Sequence, residues 1–151
     1  MPRRESLTAI AAALMLAPSP VQASSAVTVQ SAAGATSLEL DGRGSASTHI
    51  VKIAELSLTT DAAVGLTVTI TSGSLAKADG STPVSFRIVL ADRDAPAPSS
   101  AAFTTPSGTP YVLSTSAAGS VAKDVYIKYT PAALQDPGSY AASVAIDVVD
   151  N

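Results

Sequence analysis

From residue 36 onward, apolar side chains fall at every second position in short runs separated by Gly, Pro, Asp and Ser. Period two is the repeat of a strand with one buried face, because successive side chains point to opposite sides of a sheet. Leu38 and Leu40 share one face against Ser37, Glu39 and Asp41, and Asp41-Gly42-Arg43-Gly44-Ser45 then supplies turn residues. The run from His49 to Thr59 places Val51 and Ile53 on one parity and Leu56 and Leu58 on the other. That change of phase predicts a bulge or bend near Ala54 and Glu55, since a one-residue slip would otherwise expose the apolar set.

Beyond a connection at Asp61 to Gly65, Leu66, Val68 and Ile70 alternate with Thr67, Thr69 and Thr71, and Val84, Phe86, Ile88 and Leu90 alternate with Ser85 and Arg87. The loop between these strands holds Asp79-Gly80, a strong turn signal, and is long enough for a small extra hairpin. Residues 92 to 110 are rich in Pro, Ser and Thr, with Phe103 as the one large apolar anchor, and read as a long surface loop with at most one short edge strand. A short strand is expected at Tyr111-Val112-Leu113. Val121, Val125, Ile127 and Tyr129 then share a face against Asp124, Tyr126 and Lys128. After the turn Asp136-Pro137-Gly138, the last strand sets Tyr140, Ala142, Val144, Ile146 and Val148 on one side.

Seven or eight short strands with no stretch of helical period predict an all-β fold, an immunoglobulin-like antiparallel β-sandwich; a closed barrel is the alternative. No internal repeat of fixed period points to a solenoid or propeller.

The first residues change the compartment. A short charged start, Met1-Pro2-Arg3-Arg4-Glu5, precedes the apolar run Leu7 to Ala17 and then Val21-Gln22-Ala23. The run is shorter than the roughly 18 residues a membrane-spanning helix needs, and small residues stand where a signal peptidase requires them. Residues 1–23 therefore read as a signal peptide and 24–151 as one exported domain, with no transmembrane segment in the mature part. That part carries seven basic and eleven acidic side chains, a net charge of −4, with the cations scattered singly. Such a distribution does not suit a nucleic-acid partner. The chain has no Cys, so its core must come from packed aliphatic and aromatic residues, and thiolate chemistry and cysteine metal sites are excluded.

Candidate chemistry is sparse. His49 is the single histidine and no Gly-x-Ser-x-Gly elbow occurs, so a catalytic triad lacks its frame and His49 reads as an ordinary strand-start side chain. Asp92 and Asp94 could point at one hard cation, but they offer two of the six to eight oxygens calcium takes, and Arg93 stands between them. Glu39 and Asp41 share a strand face, as a glycosidase pair would, without an aromatic sugar platform nearby. Gly42-Arg43-Gly44 lacks the following helix of a dinucleotide fingerprint. The expectation is a protein that is not an enzyme and has no cofactor or metal.

The stretch Val125 to Val149, with Pro137, Gly138, Tyr140 and the alternating Val144, Ile146 and Val148, resembles the ending of spore-coat-U-like and related chaperone-usher fimbrial (pilin) subunits, which close with a Pro/Ala-Gly-x-Tyr turn and a final alternating strand. Thr69 to Leu75 followed by Pro83 to Val89 is similar to their central hairpin, and the absence of Cys resembles the cysteine-free branches. The resemblance implies a sandwich lacking one strand, whose groove accepts a strand first from a periplasmic chaperone and then from a neighbouring subunit, delivered through an outer-membrane usher to a fimbrium at the cell surface. Edge pairing supplies the affinity and alternate side chains fill the groove. On that basis 24–35 is a candidate donor-strand extension with Val27 and Val29 as plugs, and Tyr140, Val144, Ile146 and Val148 line the acceptor groove. Equally, Val27 to Gln30 could be the first strand of a complete domain, and the four C-terminal residues could sit in a closed core. The competing functional class is a self-contained secreted binding module whose loops, above all residues 92–110, recognise carbohydrate or protein.

Overall fold

The computed structural model describes residues 24–36, 38–40, 46–79, 82–135 and 139–151. The signal-peptide reading of residues 1–23 and the expected turns at 41–45, at Gly80 and at 136–138 lie outside the described residues. Nine strands follow in chain order: β1 (Ser25–Ser31), β2 (His49–Thr60), β3 (Leu66–Ser72), β4 (Ser74–Lys77), β5 (Val84–Asp92), β6 (Tyr111–Ser114), β7 (Gly119–Tyr129), β8 (Tyr140–Ala141) and β9 (Val144–Asp150). They form two antiparallel sheets, one in the order β1-β2-β7-β5-β4-β8 and one in the order β6-β3-β9. The chain is an antiparallel β-sandwich. Nine strands replace the expected seven or eight because the connection after β3 forms β4, and because the last strand is divided.

Alternation decides which face each strand buries. Leu56 and Leu58 of β2, Leu66, Val68 and Ile70 of β3, Phe86 of β5 and Val125 of β7 are at most 2 % exposed, and they meet between the sheets. Full burial of each such side chain contributes about 1.5–3 kcal/mol. The phase change in β2 is a true bulge: Lys52 pairs with Tyr126 and Ala54 with Val125, so Ile53 is the extra residue. The bulge at Ile53 lets Val51 before it and Leu56 and Leu58 after it all face the core, with Ile53 packed there too.

Two expectations are corrected. Residues 38–40 belong to no strand, although Leu38 and Leu40 pack on the core and the Glu39 carbonyl accepts the Tyr129 hydroxyl at 3.0 Å. The alternation there reflects burial against one surface without a ladder. The final apolar run changes sheets: Tyr140 and Ala141 pair with β4 in the large sheet, and from Val144 the chain pairs with β3 in the small one. The small residues Ala142 and Ser143 make the corner, and the apolar phase carries through it unbroken.

The loop after β5 folds over the outer face of the large sheet. Phe103, 2 % exposed, closes on Val89 and Tyr126, which stand opposite each other on β5 and β7. Tyr126 thus owes its burial to a loop cover. Arg87 donates to the Phe103 carbonyl at 3.1 Å, and Lys128 to the Ser100 carbonyl at 2.8 Å.

Candidate functional site

Between β1 and β9 no ladder closes the sandwich among the described residues. β1 pairs with β2 along its whole length, with Val27 opposite Leu58 and Val29 opposite Leu56. Directly opposed residues share a sheet face, so both valines lie on the core side. Yet Val27 is 39 % and Val29 49 % exposed, beside Leu58 at 1 % and Leu56 at 0 %. β9 shows the same pattern. Ile146 and Val148 stand opposite the fully buried Ile70 and Val68 but remain only half-buried themselves, as does Val144. β9 pairs with β3 on one side, and among the described residues no strand pairs with its other edge.

Neighbour order gives this edge a meaning. In a constant-type immunoglobulin sandwich one sheet runs A-B-E-D and the other C-F-G. Here β1-β2-β7-β5 reproduces the first run, and β3-β9 reproduces C-F. The G position, along the open edge of β9, holds no strand among the described residues.

The gap is fastened at one end. Thr60, opposite Ser25 in the ladder, donates its hydroxyl to Asp150 Oδ1 at 2.6 Å, and the Ser24 backbone N–H donates to Asp61 Oδ1 at 2.5 Å. Asn151 holds the end of β9: its amide donates to the Val64 carbonyl at 3.0 Å and the Thr115 carbonyl at 2.9 Å, while Thr67 donates to its Oδ1 at 2.5 Å. At the other end a cavity of about 590 Å3 opens between Ala35, Thr36, Leu38 and Leu40 and the β8–β9 corner, floored by Ile53, Leu75, Phe86 and Ile127. Tyr140 and Val144 form its wall. Tyr140 is oriented by Gln135, which donates to its hydroxyl at 2.8 Å and to the Thr82 carbonyl at 2.9 Å.

The structure brings Val144, Ile146 and Val148 together along one edge and sets Tyr140 at its mouth, with Val27 and Val29 on the facing edge. Sequence reasoning did not assign Leu38, Leu40, Ile53, Leu75 and Phe86 to this surface. The bulge expected near Ala54 and Glu55 falls just before them, at Ile53.

The other candidates are placed apart from one another. His49 stacks on Tyr129, with ring centroids 5.2 Å apart, at the end of the large sheet. Asp92 pairs with Lys123 at 2.5 Å, while Arg93 turns away from both loop acids to Asp124 at 3.1 Å and Glu55 at 3.2 Å. Among the described residues no group of three or more His, Asp or Glu is arranged to hold a metal ion. Glu39 is described but Asp41, Gly42, Arg43 and Gly44 are not. Lys52 completes the cluster around Asp124, at 3.0 Å from it and 2.7 Å from Glu55, and hydrogen bonds to Glu55 and Asp124 raise its pKa above 10.5.

Comparison of the chain with family models, with curated proteins and with solved structures finds no match.

Proposed function

We propose that this chain is an exported structural subunit of a fimbria or coat-like surface assembly, polymerising by β-strand exchange with copies of itself or related subunits and carrying no catalytic activity. One observation carries the reading: the core-side apolar residues Ile146 and Val148 of β9 are left partly uncovered along the edge where a G strand would lie. A strand added there would pair with the open edge of β9 and press alternate side chains onto the leucines, isoleucines and valines beneath. Before assembly a periplasmic chaperone would supply that strand, and an outer-membrane usher would receive the complex.

The donor in this account is β1 of a neighbour. Six of its seven residues are exposed, and its ladder to β2 and the Ser24–Asp61 tie hold it to its own fold. Val27 and Val29 are then the plugs.

The test uses size-exclusion chromatography with light scattering on the chain and on a version extended after Asn151 by a flexible linker and a copy of residues 24–35. The expected result is a polymeric or easily unfolded plain chain and a monomeric extended one. A plain chain that is already a stable, cooperatively melting monomer, unchanged by the extension, overturns the reading.

A further inference from the structure

The outer face of the large sheet holds two pairs of like charges directly opposite each other on neighbouring strands. Glu55 of β2 faces Asp124 of β7, and Arg87 of β5 faces Lys128 of β7. Like charges so placed repel, by roughly 0.2–1 kcal/mol at an ordinary sheet position. The two pairs are treated differently. Lys52 and Arg93 neutralise the acidic pair, each contacting both carboxylates within 3.2 Å. Among the described residues no carboxylate pairs with Arg87 or Lys128, in a chain that is acidic overall.

Both cations retain unused donors. Arg87 gives one N–H to the Phe103 carbonyl out of the five a guanidinium carries. Lys128 contacts the carbonyl and hydroxyl of the single residue Ser100, and its ammonium lies 5.4 Å from the centre of the Phe103 ring. They line a cleft of about 630 Å3 whose other walls include Ser85, Ser107 and Thr130. That volume falls within the roughly 300–1,000 Å3 of small-ligand sites, and the hydroxyls add donors and acceptors beside the charges.

We infer that this cleft is a binding site for an oxyanion on a small polar molecule, free sulfate or the carboxylate of an acidic sugar, held between Arg87 and Lys128. The guanidinium supplies a planar two-donor fork and the ammonium a point charge, the combination that suits a carboxylate or sulfate. Because the charges are partly solvated, affinity is in the millimolar range and falls with added salt. The inference is independent of strand exchange, since Arg87 and Lys128 stand on the outer face of the large sheet, opposite to the core-side residues of the β1–β9 gap.

The experiment is a two-dimensional amide NMR titration of the chain with sodium sulfate and, separately, sodium glucuronate, with sodium chloride at matched ionic strength and glucose as controls. The expected result is saturable shifts confined to residues around Arg87, Ser100 and Lys128 with either oxyanion and with neither control, weakened at least tenfold in Arg87→Gln. Tighter binding of glucuronate than of sulfate identifies the sugar carboxylate as the better ligand, and the reverse identifies the inorganic ion. Arg87 is exposed and makes one hydrogen bond, so this variant keeps the fold, which its amide spectrum checks. Absence of saturable shifts in the unaltered chain, or shifts that persist equally in folded Arg87→Gln, overturns the inference.

Discussion

Two sets of apolar side chains at the margin of the main core are dealt with in opposite ways. On the outer face of the large sheet, Val89 and Tyr126 would stand in water, but the loop after β5 brings Phe103 down on them and pins itself through Arg87 and Lys128. In the gap between β1 and β9, Val27, Val29, Ile146 and Val148 lie on the core side and have no comparable cover among the described residues. The chain uses Phe103, in the loop after β5, to seal a surface outside the sandwich, while among the described residues an interior edge stays open. The sealed face behaves as part of the fold; the open edge has the character of a surface completed by association.

Substitutions should separate the two regions by size of effect. Phe103→Ala removes the cover from Val89 and Tyr126 and should cost about 3–5 kcal/mol in urea denaturation, as large buried aromatics do. Next comes Asp124→Ala: its carboxylate is 2 % exposed and gathers Lys52 and Arg93, so its loss should cost about 3 kcal/mol, at the low end for a buried pair because both partners reach solvent. Gly34→Ala puts a Cβ into the Lys52 carbonyl and the Val51 side chain and should cost about 1–3 kcal/mol by forcing the segment after β1 away from the bulge. By contrast, Val27→Asp with Val29→Asp should cost less than about 1 kcal/mol each in the isolated chain, since both are already well exposed. Because these two residues are the donor plugs, the same pair should abolish self-association of the plain chain, read by light scattering.

The smallest effect is set by pH. Lys52 has its pKa raised in the folded state by Glu55 and Asp124, so its stabilising contribution is complete below its ordinary value of 10.5 and is lost as pH rises through the higher folded value. Urea midpoints measured from about pH 9 to 12 should fall at the alkaline end, and Lys52→Gln should flatten that limb.

Much of the fold was legible because period two is a strong signal. The long strands and the phase break in β2 follow from which parity is apolar, and Phe103 stood out as the one large apolar residue in a polar loop. The division of the last run at Ala142 and Ser143 was not legible, because a strand that changes sheets without changing phase leaves no mark on the alternation. Leu38 and Leu40 misled for the same reason, since packing on a core and pairing in a ladder both bury every second residue. The groove was only half legible. Tyr140, Val144, Ile146 and Val148 could be named as inward-facing, but whether the space beside them is filled depends on neighbour order, which pairing across long separations decides. Arg87 opposite Lys128 was hidden likewise: register between β5 and β7 cannot be read from either strand alone.

The central claim is that β9 is an interior-facing strand with one unpaired edge, and amide hydrogen exchange along Val144 to Asp150 tests it most directly. The account predicts alternating protection in the isolated chain, with slow exchange for N–H groups directed at β3 and fast exchange for those directed away, and slow exchange at every position in the version carrying the appended strand. Uniformly slow exchange along β9 in the isolated chain would contradict it.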